Sequence, residues 1–246
     1  MNKIPRVTLA FWIMKICATT LGETAGDLMS MTLNVGYALS SVILLTIFLI
    51  ALISQLVAKR FHPALYWTVI LATSTAGTTM SDFMDRTLGL GYATGSLILV
   101  VLLAVILAVW RLAEGSLSVD RIGTLKGELF YWAAILISNT LGTALGDYLA
   151  DDSGLGFLGG AAVISGLLVI LIACHFLTKA SPVLLFWIAF ILTRPFGATF
   201  GDLLTKPLSN GGMGFGTIGS SAVLFIILIS LVALAHRTKP VLAEAS

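Results

Sequence analysis

One frame recurs four times along this chain, and it fixes most of what the chain can fold into. With Asp27, Asp82, Asp147 and Asp202 as origins, a tryptophan stands fifteen residues earlier each time: Trp12, Trp67, Trp132 and Trp187. A glycine stands five residues earlier: Gly22, Gly77, Gly142 and Gly197. The residue just before each aspartate is small: Gly26, Ser81, Gly146 and Gly201. Nine residues after the first three aspartates a glycine precedes an aromatic (Gly36-Tyr37, Gly91-Tyr92, Gly156-Phe157); the fourth repeat delays this pair to Gly214-Phe215. The origins lie 55, 65 and 55 residues apart. Repeats of this period are supersecondary units that bury their apolar faces against one another.

Composition decides what the units are made of. Of 246 residues, 58% are hydrophobic and 11% charged, against about 25% charged in a soluble domain. Mean hydropathy is +1.02. A spanning helix needs roughly 20 apolar residues, and eight segments answer to this: 7–27, 37–58, 64–83, 91–111, 128–148, 156–177, 182–203 and 215–235. The expected fold is all-α, with eight transmembrane helices in four parallel tandem helix pairs. The polar run 111–128 parts the chain into repeats 1 and 2 (1–112), a cytoplasmic linker (113–127) and repeats 3 and 4 (128–246). The first segment carries the repeat frame and lacks a small-residue cleavage site, so it reads as a retained helix and not a signal peptide.

Two spans per repeat return the chain to its starting side. That side holds Lys3, Arg6, Lys59, Arg60, Arg111, Arg121, Lys126, Lys179, Arg237 and Lys239, while the other holds only Arg86 and Lys206. Positive charge marks the cytoplasm, so both termini are expected there, with the aspartates toward the outer ends of the odd helices. A net charge of +2 gives nucleic-acid binding no electrostatic support. Cys17 and Cys174 form neither a zinc nor a disulfide pattern. No GxxxxGK[ST], HExxH or GxSxG occurs, which argues against nucleotide use and against an enzyme.

This pattern of four tandem two-helix repeats, each with its tryptophan, resembles a bacterial family of uncharacterised membrane-anchored proteins, a repeat family of unknown function. The resemblance implies the architecture and a bacterial inner membrane. It implies no activity, so the site is read from the residues.

Relative to each aspartate, the position four residues earlier holds Glu23, Thr78, Thr143 and Ala198. Seven residues earlier stand Thr20, Thr75, Thr140 and Pro195, and eight earlier Thr19, Ser74, Asn139 and Arg194. These positions share a helical face, so each odd helix carries a polar stripe. The glycines and the tryptophans suit packing, since small residues let helices approach closely in lipid. A carboxylate in hydrocarbon costs about 2.5–3.5 kcal/mol even on insertion scales, and four of them converging by pseudo-symmetry repel unless protons or a cation neutralise them. Asp27, Asp82, Asp147 and Asp202 are therefore expected to bind a cation, with Glu23, Thr20, Thr75, Thr78, Asn139 and Thr143 contributing. Capping of loops at headgroup level is the competing role for the aspartates.

Lys15 and Arg194 break the symmetry and are expected to pair with intramembrane carboxylates. Arg194-Pro195 suggests a kinked or broken helix. His62, His175 and His236 lie near the cytoplasmic ends, which leaves oxygen ligands suited to a hard divalent ion. The expected function is a secondary transporter or exporter of a cation, a divalent metal such as manganese among the candidates. A transporter of a small organic cation and a non-transporting binding or assembly module are the alternatives. The expected partners are the bilayer and a small cation, without nucleic acid and with no resident cofactor beyond such a cation; a homo-oligomer stays open.

Overall fold

The computed structural model describes residues 3–243, with side chains through residue 235; His236, Arg237 and Lys239 lie outside the described side chains. The described chain is helical throughout: α1 (Leu9–Asp27), α2 (Tyr37–Val57), α3 (Pro63–Asp82), α4 (Tyr92–Glu114), α5 (Leu125–Asp147), α6 (Gly156–Leu177), α7 (Pro182–Thr205) and α8 (Thr217–Ala243). Local chemistry sets the starts. The Thr8 hydroxyl accepts from the Phe11 amide at 3.3 Å, and the Thr124 hydroxyl from the Gly127 amide at 2.9 Å, each satisfying an amide that lacks an intrahelical partner. Pro63 and Pro182 open α3 and α7, where a missing N–H costs nothing.

The odd helices form a closed inner ring: α1 packs on α3, α3 on α5, α5 on α7, and α7 back on α1. Each even helix finds its main partner in the inner helix of the next repeat: α2 on α3, α4 on α5, α6 on α7, and α8 on α1. The even helices turn apolar residues such as Leu97, Val169 and Ile226 outward, as lipid contact requires. Among the described residues six helices (α2, α4, α5, α6, α7 and α8) are long and apolar enough to cross a membrane. The remaining two, α1 and α3, are interior helices whose polar residues (Lys15, Glu23, Thr73, Ser74, Thr78) are buried.

The repeated glycines explain how the ring closes. A Cβ built on Gly77 would lie 2.9 Å from the Thr140 amide nitrogen, and one on Gly197 would lie 2.6 Å from the Thr19 hydroxyl. Gly22 meets Ser74 and Gly142 meets Arg194 in the same way. The glycine of each repeat thus receives the residue eight before the aspartate of the next. One turn outward the rule repeats, with Gly26 against Thr78, Gly146 against Ala198 and Gly201 against Glu23.

At the other end of the inner helices aromatic side chains follow the same head-to-tail order. Ring centroids lie 5.6 Å apart for Phe11–Trp67, 5.5 Å for Tyr66–Trp132, 6.3 Å for Tyr131–Trp187 and 5.8 Å for Phe186–Trp12. The last pair closes the circle.

Two expectations need correction. The polar interruption spans only 115–124, because α4 runs through Glu114 and α5 starts at Leu125; Val119 and Ile122 within it are buried in the core. Helix α7 continues unbroken through Arg194-Pro195. The proline ring is held against the seam, where a side chain on Gly142 would strike it.

Seam packing makes a prediction. Gly77→Leu should destabilise the protein by about 1–3 kcal/mol through overpacking. Gly166→Ala on α6, where nothing lies within 4 Å of the new Cβ, should be neutral or stabilising by up to about 1 kcal/mol. Thermal unfolding in detergent measures both, and equal behaviour of the two variants would contradict the packing.

Candidate axial carboxylate site

The ring fixes the height at which each repeat presents its polar residues, so repeat positions become layers. The outermost layer holds the four aspartates, all buried, and it contains two bases that the sequence reading left out of the site. Lys206 Nζ bridges Asp27 (2.7 Å) and Asp202 (3.1 Å). Arg86 bridges Asp82 (3.0 Å) and Asp147 (3.2 Å). A readable signal pointed to both: each base stands four residues after an aspartate on its own chain segment, the spacing of a helical ion pair. Burial works against the charge on Lys206, but the carboxylates of Asp202 and Asp27 outweigh it and raise its pKa. Arg86 also lies over the rings of Tyr37 and Tyr92, at 6.0 and 5.6 Å from their centroids.

Backbone geometry carries these groups past the α-helices. A single π-helical turn follows the aspartate in the first three repeats: Leu28–Thr32, Phe83–Thr87 and Tyr148–Asp152. Such turns occur at functional positions within helices. In the fourth repeat Pro207 follows Lys206. Its ring cannot continue the ladder, and a 3₁₀ turn, Leu208–Asn210, takes the place of the π turn.

One turn inward lies the residue that joins everything. Arg194 has 0% exposure. Its Nη1 donates to Glu23 Oε2 at 2.9 Å, and its Nη2 donates to the hydroxyls of Thr78 (2.5 Å) and Thr143 (2.7 Å) and to the Ser74 carbonyl (3.3 Å). Those hydroxyls in turn donate to Glu23 Oε2 at 3.2 Å each. Arg194 on α7 thereby holds α1, α3 and α5. The expected pairing of Arg194 with a carboxylate is realised, on a neighbouring helix.

Lys15 behaves otherwise, and the expectation of a charge pair is corrected. Among the described residues no carboxylate lies within ion-pair distance of it. Its Nζ, fully buried, donates to Asn139 Oδ1 at 3.3 Å and sits 3.9 Å over the Phe190 ring. The helical rise explains this: Lys15 stands two turns below Glu23 on α1, roughly 12 Å along the axis. Asn139 donates onward to Thr73 at 2.9 Å, so it serves Lys15 rather than the carboxylates. Thr20 and Thr75 donate to carbonyls of their own helices. Of the stripe residues, Glu23, Thr78, Thr143 and the aspartates converge on the axis, and Thr20, Thr75 and Asn139 are occupied elsewhere. The tryptophans stack among aromatics at the opposite end of the helices, away from the carboxylates.

Chemically, the arrangement offers a hard-ion donor set. Glu23, Asp147 and Asp202 each present one carboxylate oxygen, and these oxygens lie within 4.8 Å of one another. Oxygen ligands at about 2.0–2.6 Å from Mg²⁺ or Ca²⁺ can be that far apart on opposite sides of one ion. Five carboxylates face three ion-pairing bases, Arg86, Arg194 and Lys206, which leaves two formal negative charges unmatched.

A family model described as a Repeat of Unknown Function (DUF347) matches residues 10–61, 65–116, 130–181 and 185–240. No curated protein and no solved structure matches the chain.

The two buried bases should respond differently to removal. Arg194→Met strands Glu23 in the bundle and should cost about 3–5 kcal/mol, the usual effect of breaking a buried pair from one side. Glu23→Gln combined with Arg194→Met should recover most of that loss. Lys15→Met replaces an amine that lacks a counter-ion with an apolar chain of similar length, and should leave stability within about 1 kcal/mol of wild type. Unfolding midpoints of the purified variants check the order.

Proposed function

The chain belongs to the DUF347 repeat family, and from that premise we propose a function read from the axial site alone. The protein is an eight-span protein of the bacterial inner membrane, its four helix pairs parallel and both termini in the cytoplasm. It works as a secondary transporter or exporter of a small cation, with a divalent metal such as manganese as the leading substrate class. One observation carries this reading: three buried carboxylate oxygens, from Glu23, Asp147 and Asp202, converge within 4.8 Å where the inner helices meet.

The residues around that point suggest how a cation is handled. Lys206 and Arg86 hold the outer aspartates and are themselves partly exposed. A cation arriving from the outer end takes Asp202 and Asp147 in exchange for these tethered bases, a swap of one positive partner for another. Glu23 is the third ligand, and it is released only when Arg194 gives it up. Because Arg194 also holds Ser74, Thr78 and Thr143, loss of its carboxylate loosens the inner ring at the layer that separates the site from the aromatic end.

A second reading has its own support. All four aspartates are already ion-paired across repeats, the arrangement of carboxylates that staple a non-transporting module.

Binding separates the two. Thermal shift and calorimetric titration of the purified protein with Mn²⁺, Mg²⁺ and Ca²⁺ across pH 5 to 9, with uptake into proteoliposomes, are the measurements. Asp202→Asn and Asp147→Asn should each weaken binding about tenfold or more, since each removes a charged oxygen ligand from a hard-cation site. Glu23→Gln should weaken binding as well, since it removes the third charged ligand of the same set. Wild-type binding in both aspartate variants would leave the carboxylates as staples.

A further inference from the structure

The ring is closed, but a cavity opens on the outside of the contact between α1 and α7. A cavity of about 720 Å³ lies between α1, α6 and α7, walled by Trp12, Ile16, Leu168, Ile172, Phe186 and Ala189 among others, and its floor reaches Thr193 beside Arg194. In the other three repeats the tryptophan is sealed, with exposures of 3% at Trp67, 2% at Trp132 and 4% at Trp187. Trp12 alone of the four is half-buried, because it stands in the wall of this cavity. The lining is almost entirely apolar, and α6 beside it also exposes Val169 and Ile170 outside the cavity, so the opening lies on an apolar surface and water gains nothing by filling it.

The mouth has a different chemistry. Apart from Thr193 at the floor, the polar residues lining the cavity are Thr8, Ser118, Asp120 and His175. Arg6 lies two residues before Thr8, Arg121 adjoins Asp120, and Lys179 follows Phe176 by three residues; all three bases are exposed. None of the three stands in the wall itself, but each lies close to a lining residue in the sequence, and together they outnumber Asp120, the one carboxylate on the wall. An apolar slot under a basic rim fits one kind of occupant. Basic pockets between spanning helices on the cytoplasmic side bind anionic headgroups.

We propose that the seam between α1 and α7 is a binding site for one anionic phospholipid, its acyl chain in the cavity against Trp12 and Ala189 and its phosphate at the rim of Arg6, Arg121 and Lys179. The site lies at the aromatic end, apart from the carboxylates, and does not rest on the cation reading.

Native mass spectrometry of the purified full chain tests it, with phosphatidylglycerol and phosphatidylcholine of identical acyl chains titrated separately. One phosphatidylglycerol per chain is expected, favoured about tenfold or more, since each base near an anionic headgroup adds roughly fivefold. Ala189→Trp fills the cavity and should reduce that adduct about tenfold. The triple change Arg6→Gln, Arg121→Gln, Lys179→Gln leaves the walls intact and should bring phosphatidylglycerol down to the phosphatidylcholine level, which keeps the test decisive if Ala189→Trp fails to fold. Equal binding of the two lipids by wild type, or an undiminished adduct in the folded Ala189→Trp protein, overturns the proposal. So does a dimer in light scattering that Ala189→Trp dissolves, because the occupant is then a second copy of this chain.

Discussion

Arg194 is the point on which the architecture turns. A guanidinium with no exposure must have its charge answered and its N–H groups satisfied within the protein, since burying either uncompensated is costly. Glu23 answers the charge, and the two threonines at the same repeat position as Glu23 accept from the second nitrogen. The fourth residue at that position is Ala198, on the helix of Arg194 itself, and the Arg194 Nε–H is left without a partner among the described residues. The stem of Arg194 passes Gly142, the seam glycine of the preceding repeat. Fourfold repetition supplies the sites, and a single substitution in one repeat turns them into a bonded cluster. Helix order around the ring is thereby enforced by a charge as well as by shape.

At the outer end the fourfold frame carries a twofold pattern of charge. Only repeats 2 and 4 bear a base four residues after the aspartate, Arg86 and Lys206. Each reaches its own aspartate and that of the next repeat around the ring. Two bases therefore suffice to hold four carboxylates, and alternate seams receive an ionic tie. The remaining seams, α1 with α3 and α5 with α7, are joined one turn inward by Glu23, Thr78, Thr143 and Arg194.

Much of this was legible in the residues. Period, small residues and apolar spans gave eight helices with the polar stripes on the odd ones, because those signals are local or repeat at fixed distance. Glycines at a fixed offset marked the seams, since only close approach of helices asks for a missing Cβ at the same place four times. Partner choice was less accessible. Lys15 looked bound to find a carboxylate, yet its height on α1 places it beside Asn139 and Phe190, and height matters only once neighbours are known. Arg86 and Lys206 read only as charges beyond the spans: the π turn that carries Arg86 has no clear sequence mark, and Lys206 stands at the C-cap of α7. Docking of each even helix on the following repeat was likewise hidden, since nothing in one repeat says which neighbour its second helix will choose.

Glu23 and Arg194 are 171 residues apart. A chain made from its N-terminus contains Glu23 long before its partner exists. Until α7 arrives, the carboxylate has only Thr78 and then Thr143 as bonded companions, and the groove on α1 that α8 will cover is empty. The native surroundings of Glu23 are therefore complete only when the last repeat is in place. The last repeat supplies both closing elements, the guanidinium that pairs with Glu23 and the helix that packs on α1.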